Sequence, residues 1–309
     1  CKMYYNGVVA LLQQNRNWCH VSVGTNPYSL DWGEIVSTLR RKSEHMVAGD
    51  FEGFDASQHM LLLQAAGEVL IEISRRFLQS TTEEIKIMRV LLVSLINSLH
   101  ITGSEVYQWT HSLPSGHYLT AMINSIFVNL AFACVWQIGK KEISYRMARH
   151  FWQVCGIVAY GDDHIVSIPE NELETFNQES LVILFQKIGL SYTMEDKEAK
   201  AENPSRSIFE VSYLKRKFRR DGDMSRWLAP LSLDTILETP QWIHRTPDKR
   251  AQTIANLEWA LKELALHEVE TWNEWAPKLQ RECEKLQHYT TYRDQAYTKR
   301  VCLDQDLQM

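Results

Sequence analysis

Between Val154 and Ile168 the chain reads VCGIVAYGDDHIVSI, and no other stretch constrains the fold as strongly. Apolar, β-branched residues flank a Gly-Asp turn signal, which is the sequence form of a tight β-hairpin. The turn carries two adjacent carboxylates, Asp162 and Asp163. Aspartate favours turns for local hydrogen-bonding reasons, so a solvated loop accounts for the pair. The other account is that the carboxylates gather around a cation, which needs further acidic groups brought to the same place.

A second acidic strand end lies in AGDFEGFDAS, Ala48 to Ser57. HMVAGDF reads as a strand ending at Asp50, followed by a turn at Gly53 and a helix from Gln58. Asp50 is open to two readings, an edge-strand charge that guards against aggregation or a metal ligand. Asp55 is either the N-cap of that helix or an acceptor for a ribose hydroxyl. If the strand ends bearing Asp50 and Asp162 lie side by side, their carboxylates repel unless a hard divalent cation sits between them. Mg2+ is held this way by one or two carboxylates plus substrate phosphates, and two such ions about 4 Å apart can clamp a phosphoryl displacement.

Downstream, HSLPSGHYLTAMINSIFVNLAF places Pro114, Ser115 and Gly116 in a loop before a helix from about Tyr118 to Ile138. Free N–H groups and the dipole at a helix N-terminus favour anions such as phosphate. Thr120 and Asn124, at i and i+4, share one face; they either satisfy core hydrogen bonds or read a sugar hydroxyl. Lys197 in MEDKEAK reads on its own as part of a solvated loop. KRKFRR, Lys215 to Arg220, puts five cations in six residues, either tracking a nucleic-acid backbone or guarding an exposed hairpin over Ser207 to Phe218.

Further helices are expected over Asp31–Ser43, over Gln58–Leu78 with Leu62, Ala65, Ala66, Val69, Ile73 and Phe77 on one face, and over Thr82–Asn97. A Gly103 turn between short strands follows. Another helix runs from about Glu172 to Ile188 and ends at Gly189. From Leu233 onward the text is helical, with Trp242, Trp259, Trp272 and Trp275 read as core. The pattern is a mixed α/β (α+β) centre with an all-helical C-terminal part. With 45% hydrophobic and 23% charged residues the chain has the composition of a folded body. Its net charge of −5 gives no global attraction to nucleic acid, so any such binding rests on local patches. Six scattered cysteines form no CxxC pair, which fits a reducing compartment rather than zinc or a disulfide framework. No apolar run approaches the roughly 18 residues of a membrane span; MINSIFVNLAFACVWQIG reads as a buried helix. Opening on Cys1, the chain reads as a fragment of something longer.

GDFEGFDAS, PSGHYLTAMIN, YGDD, the lysine of GLSYTMEDK, and YLKR occur in that order. The set resembles the RNA-dependent RNA polymerases of picornavirus-like positive-strand RNA viruses (order Picornavirales), over about Val23 to Lys278. The resemblance implies a right-hand polymerase, with an antiparallel palm sheet backed by helices, partial fingers, and a helical thumb. Residues 1–45 are then partial fingers, 46–218 the palm with inserted fingers helices at about 57–112, and 219–309 the thumb and tail. It implies that Asp50 and Asp162 are the principal metal ligands, with Asp163 supporting the second of two Mg2+ ions, or Mn2+ in their place. It makes Asp55, Thr120 and Asn124 readers of the ribose 2′-hydroxyl, and Ser115 and Gly116 part of the mobile loop that accompanies translocation. Lys197 becomes general acid toward pyrophosphate, while Lys215 and Arg216 support the primer strand.

The reaction implied is attack of a primer 3′-hydroxyl on the α-phosphate of a template-selected ribonucleoside triphosphate. Partners implied are RNA template and primer, a protein primer and other viral replication proteins, with no membrane anchor of its own. The implied location is host cytoplasm, in membrane-associated replication complexes reached through partners. The family's basic fingers block before the first acidic block has no counterpart among the 49 residues preceding Asp50. The chain therefore reads as palm, part of the fingers, and thumb. A catalytically inactive RNA-binding fragment and a reverse transcriptase are the alternatives. The second is disfavoured by Gly161 before the aspartate pair and by Asp55 where an aromatic gate is usual.

Overall fold

The computed structural model describes residues 1–108, 112–195 and 204–303. In chain order it runs α1 (Lys2–Gln14), α2 (Arg16–Cys19), α3 (Asp31–Arg40), β1 (Met46–Phe51), α4 (Phe54–Ser57), α5 (Met60–Phe77) and α6 (Thr82–Ile96). Next come β2 (Leu99–Thr102), β3 (Glu105–Gln108), α7 (Thr120–Gly139), α8 (Tyr145–Val154), β4 (Gly156–Tyr160), β5 (Asp163–Ser167), α9 (Gln178–Gln186) and β6 (Tyr192–Met194). The remainder is β7 (Arg219–Asp221), β8 (Arg226–Leu228), α10 (Leu233–Glu238), α11 (Lys249–Leu264), α12 (Val269–Lys285) and α13 (Gln295–Leu303). The chain forms two compact units, Cys1–Gly24 with Ile35–Val211, and Thr25–Glu34 with Ser212–Met309. Residues 1–45, expected as one piece, are divided between them.

The first unit is built on a four-stranded antiparallel sheet in the order β4-β5-β1-β6. Strands β1, β4 and β5 carry apolar residues on both faces, so Val47, Ile157, Ile165 and Val166 are fully buried. Phe127, Phe132 and Trp136 of α7 belong to the same core. α7 is twenty residues long and apolar enough to cross a membrane by length and composition, contrary to the expectation that no run approaches that limit. Burial of 72% of its most apolar window marks it as the core helix the sequence suggested.

The α5 face differs from the expected one. Leu63, Ala66, Gly67, Leu70, Ile71 and Ser74 are buried, whereas Phe77 is exposed. Gly67 is the reason: a Cβ there would lie 2.3 Å from Leu92, so α6 approaches over the glycine and turns the helix toward it. α6 begins with a capping box between Thr81 and Glu84. α9 begins later than expected, because Asn177 and Ser180 form a capping box and a 3-10 turn occupies Glu170–Glu172. α1 and α8 are elements the sequence reading did not place.

The expected exposed hairpin over Ser207–Phe218 is absent. Tyr213 and Phe218 are buried, and Tyr213 pairs with Arg216 only through a two-residue turn. The two-stranded ladder forms instead between β7 and β8. Trp32 stacks on Phe218 with centroids 4.9 Å apart, so for Tyr213 and Phe218 the alternation records burial, whereas Phe209 is exposed. α10 to α13 give the expected helical part. Trp272 is in its core, Trp259 and Trp275 pack against that core, and Trp242 is 69% exposed.

Candidate active site

Tyr160 pairs with Asp163, leaving Gly161 and Asp162 as a two-residue turn. Gly161 has φ +66° and Asp162 does not share the positive sign, which matches a type II′ hairpin turn. Asp163 thus begins β5 and Asp162 alone occupies the tip. β1 pairs with β5 through Ala48 and Ile165, and continuing that register by two residues sets Asp50 level with Asp163. The two acidic strand ends are therefore neighbours in one sheet. Asp50 also pairs with Thr193 of β6.

The closeness has an electrostatic signature. Asp162 is pushed above the ordinary carboxylate range by partial burial first, and then by the charges of Asp50 and Asp55, against its own and the Asp163 backbone N–H groups. Beside it lies an open cavity of about 410 Å³ lined by Asp55, Ser115, Gly116, Thr120, Asn124 and Asp162, among others. Asp55 is not an N-cap. It lies in the first turn of α4, whose cap position is Gly53, and its carboxylate accepts the Ser115 hydroxyl at 2.6 Å. Gly116, with φ +81°, gives the loop its left-handed turn. Thr120 donates to the Pro114 carbonyl at 2.7 Å, fixing that loop to α7.

Five further residues hold the site, none of which the sequence reading singled out. Gln58 donates to Asn124 Oδ1 at 2.7 Å. Ser125, fully buried on α7, accepts the Gly161 N–H at 2.8 Å and donates to the Ala121 carbonyl at 2.6 Å. His164 contacts the Asp162 carbonyl through Nδ1 at 2.7 Å and the Tyr192 hydroxyl through Nε2 at 3.0 Å. Burial lowers its pKa to about 4, so the ring is neutral. A carbonyl only accepts; Nδ1 therefore carries the hydrogen and Nε2 accepts from Tyr192. Gly49 makes room for that phenol, since a Cβ there would lie 2.3 Å from the Tyr192 ring and 2.6 Å from the Thr193 carbonyl. The one available signal was adjacency to the acidic blocks.

Lys197 lies outside the described residues. Lys215 and Arg216 belong to the other unit. Lys215 is exposed on the turn after Leu214, both with positive φ. Arg216 is directed inward, donating to both Glu263 oxygens at 2.8 and 2.9 Å and lying over the Tyr28 ring.

Among the described residues no group of three or more His, Cys, Asp or Glu is arranged to hold a metal ion. The donors that do converge are hard carboxylate oxygens whose mutual repulsion already shows in Asp162. That set fits Mg2+, which commonly takes one or two carboxylates and completes its shell from substrate phosphate and water.

Residues 1–284 match the family model described as viral RNA-dependent RNA polymerase. The chain is 36% identical over 292 residues to the replicase polyprotein of Acute bee paralysis virus (strain Rothamsted), covering 92% of this chain and 15% of that one. It is 32% identical to the replicase polyprotein of Drosophila C virus (strain EB), covering 86% and 16%. The chain thus spans about a sixth of the length of these curated relatives. In fold it is similar to a Sicinivirus 3Dpol RNA dependent RNA polymerase, with a TM-score of 0.73 and 17% identity over 98% of this chain and 60% of that one. The antiparallel sheet with paired acidic strand ends, which the sequence blocks led us to expect, is thus found in a chain that belongs to the viral RNA-dependent RNA polymerase family.

Proposed function

We propose that this chain supplies the catalytic body for template-directed RNA synthesis, in which a primer 3′-hydroxyl attacks the α-phosphate of a ribonucleoside triphosphate and pyrophosphate leaves. The observation that carries the reading is the meeting of Asp50 and Asp162 at one sheet end, beside a cavity lined by Asp55 and Asn124. Bound divalent cations, Mg2+ or Mn2+, would supply charge neutralisation and Lewis acidity at the reacting phosphate. Asp50 and Asp162 would hold them, with Asp163 in support.

The chain's other residues orient and select. Asp55 and Asn124 face the sugar, and the Ser115–Gly116 loop, tied to Asp55 and to α7 through Thr120, shapes that side of the cavity. Lys197 is assigned as proton donor to pyrophosphate, a role that needs a cation near the leaving oxygen. Lys215 is assigned to the primer backbone; Arg216, paired with Glu263, supports the turn that presents it. In this reading residues 46–218 are chiefly palm and 219–309 chiefly thumb. RNA template, primer, a protein primer and other viral proteins are the proposed partners, in host cytoplasm on membranes reached through them.

The test is Mg2+-dependent primer extension on a defined RNA template by this chain, its Asp162→Ala variant, and a longer polypeptide containing the chain. Extension by either wild-type polypeptide, lowered about a hundredfold or more by Asp162→Ala, supports the reading. RNA binding with no extension by any of them, indifferent to Asp162→Ala, replaces it with an RNA-binding fragment.

A further inference from the structure

Gln58 is fully buried, three residues after Asp55 and just before the His59 cap of α5. Its Nε2 donates to Asn124 Oδ1 at 2.7 Å, while its Oε1 is buried without a hydrogen-bond partner. An unpaired buried acceptor opposes folding, and a leucine of similar size would avoid it. The value of the amide therefore lies in its paired end.

Asn124 is itself 5% exposed and lines the cavity. Gln58 donating to Oδ1 fixes the orientation of the planar amide, so that Nδ2, on the other side of it, is turned away from Gln58 and offers its N–H donors to a ligand. Asp55, on the same cavity, is acceptor-only and already receives the Ser115 hydroxyl. A hydroxyl that donates to a carboxylate and accepts from an amide satisfies both groups, whereas a hydrogen in its place leaves both unpaired.

We propose that Gln58 is a positioning residue for ribonucleotide choice: by holding Asn124 Oδ1 it commits Nδ2 to the sugar 2′-hydroxyl. The inference rests on the reading that Asp55 and Asn124 face the ribose. Gln58 touches no substrate and acts only through the orientation of Asn124. Replacing it by glutamate reverses the demand. Ionised, the introduced carboxylate only accepts, so Asn124 turns Nδ2 toward it and offers Oδ1 to the sugar, acceptor beside the acceptor of Asp55.

The experiment is equilibrium binding of ATP and dATP in Mg2+, with primer–template RNA presenting U. It compares wild type, Gln58→Leu, Gln58→Glu, Asn124→Ala and the Gln58→Leu/Asn124→Ala double variant, with thermal melts to confirm folding. The expected result is a fall of about tenfold in the ATP/dATP affinity ratio for Gln58→Leu. Gln58→Glu falls to the Asn124→Ala level, and the double variant falls no further than Asn124→Ala. If both Gln58 variants keep the wild-type ratio while Asn124→Ala loses it, the Gln58 assignment is overturned and ribose reading stands. If wild type binds the two nucleotides equally, or binds neither, ribose reading fails and the Gln58 role falls with it.

Discussion

At the tip of the β4–β5 hairpin, Asp162 holds its proton to higher pH than an ordinary aspartate, through partial burial and then the charges of Asp50 and Asp55. The folded state therefore binds that proton more tightly than the unfolded chain. Its stabilising effect is present below the ordinary carboxylate range and is lost as pH rises through the raised folded value. At neutral pH the ionised group weakens the fold, which is the arrangement expected where a cation is to be received. Asp162→Asn keeps the size and an oxygen for the backbone N–H groups but removes the charge. It should raise stability at pH 7 by less than about 1 kcal/mol, because solvent screens the exposed tip. The gain should vanish at acid pH, and Mg2+ should stabilise wild type more than the variant. Urea unfolding at pH 7 and pH 3, with and without Mg2+, reads all three; a variant less stable than wild type at pH 7 would refute the account. The acidic residues were legible because each stands at the end of an apolar strand or beside a glycine turn. Gln58 was not, since a buried amide at a helix start looks like any polar cap residue.

The elements that hold these side chains were legible to different degrees, for reasons of range. The hairpin around Gly161 is local, so β-branched runs and a turn glycine sufficed. α7 was readable as a buried helix from its apolar text, but its part in the site was not. Ser125 reaches the Gly161 N–H across 36 residues, a contact that no periodicity encodes. The Ser207–Phe218 alternation misled because burial of Tyr213 and Phe218 depends on Trp32, whose indole donates to the Lys217 carbonyl 185 residues away. The Ser125 contact yields a prediction about the element. Ser125→Ala leaves the Gly161 N–H buried without its acceptor, at a cost of about 1–3 kcal/mol. The same change frees the turn that aims Asp162. Ser125→Ala should therefore lower both the unfolding midpoint and the stabilisation by Mg2+, whereas Ser125→Thr, which retains the hydroxyl, should preserve the latter. Equal Mg2+ stabilisation in wild type and Ser125→Ala would mean that α7 does not position the turn.

Over the whole molecule, the division into two units was the least legible feature. Thr25–Glu34 precedes the first strand, yet it belongs with the C-terminal unit, where Trp32 meets Phe218 and Tyr28 meets Arg216 and Glu263. No composition shift marks the crossing, because the two segments share a core only after folding. Within that unit Glu263 is 1% exposed and Arg216 11%, and the pair is bidentate, with Arg216 also donating to the Ala229 carbonyl at 2.8 Å. Removing one member strands a buried charge, which typically costs about 3–5 kcal/mol. The solvent-exposed pair Arg40–Glu44 of the other unit offers the contrast, since such pairs contribute less than about 1 kcal/mol. Glu263→Ala should therefore destabilise its own unit, and hydrogen exchange should report faster opening in residues 25–34 and 212–303. Residues 46–51 and 156–167, which carry the acidic strand ends, should keep their protection, and Glu44→Ala should leave exchange nearly as in wild type. If exchange accelerated equally in both sets of residues, the two units would unfold as one and the turn at Lys215 could not be loosened independently of the Asp50–Asp162 sheet. If it accelerated only in the first set, the buried Arg216–Glu263 pair is what holds that turn, which explains why an arginine beside an exposed lysine is committed to an internal carboxylate.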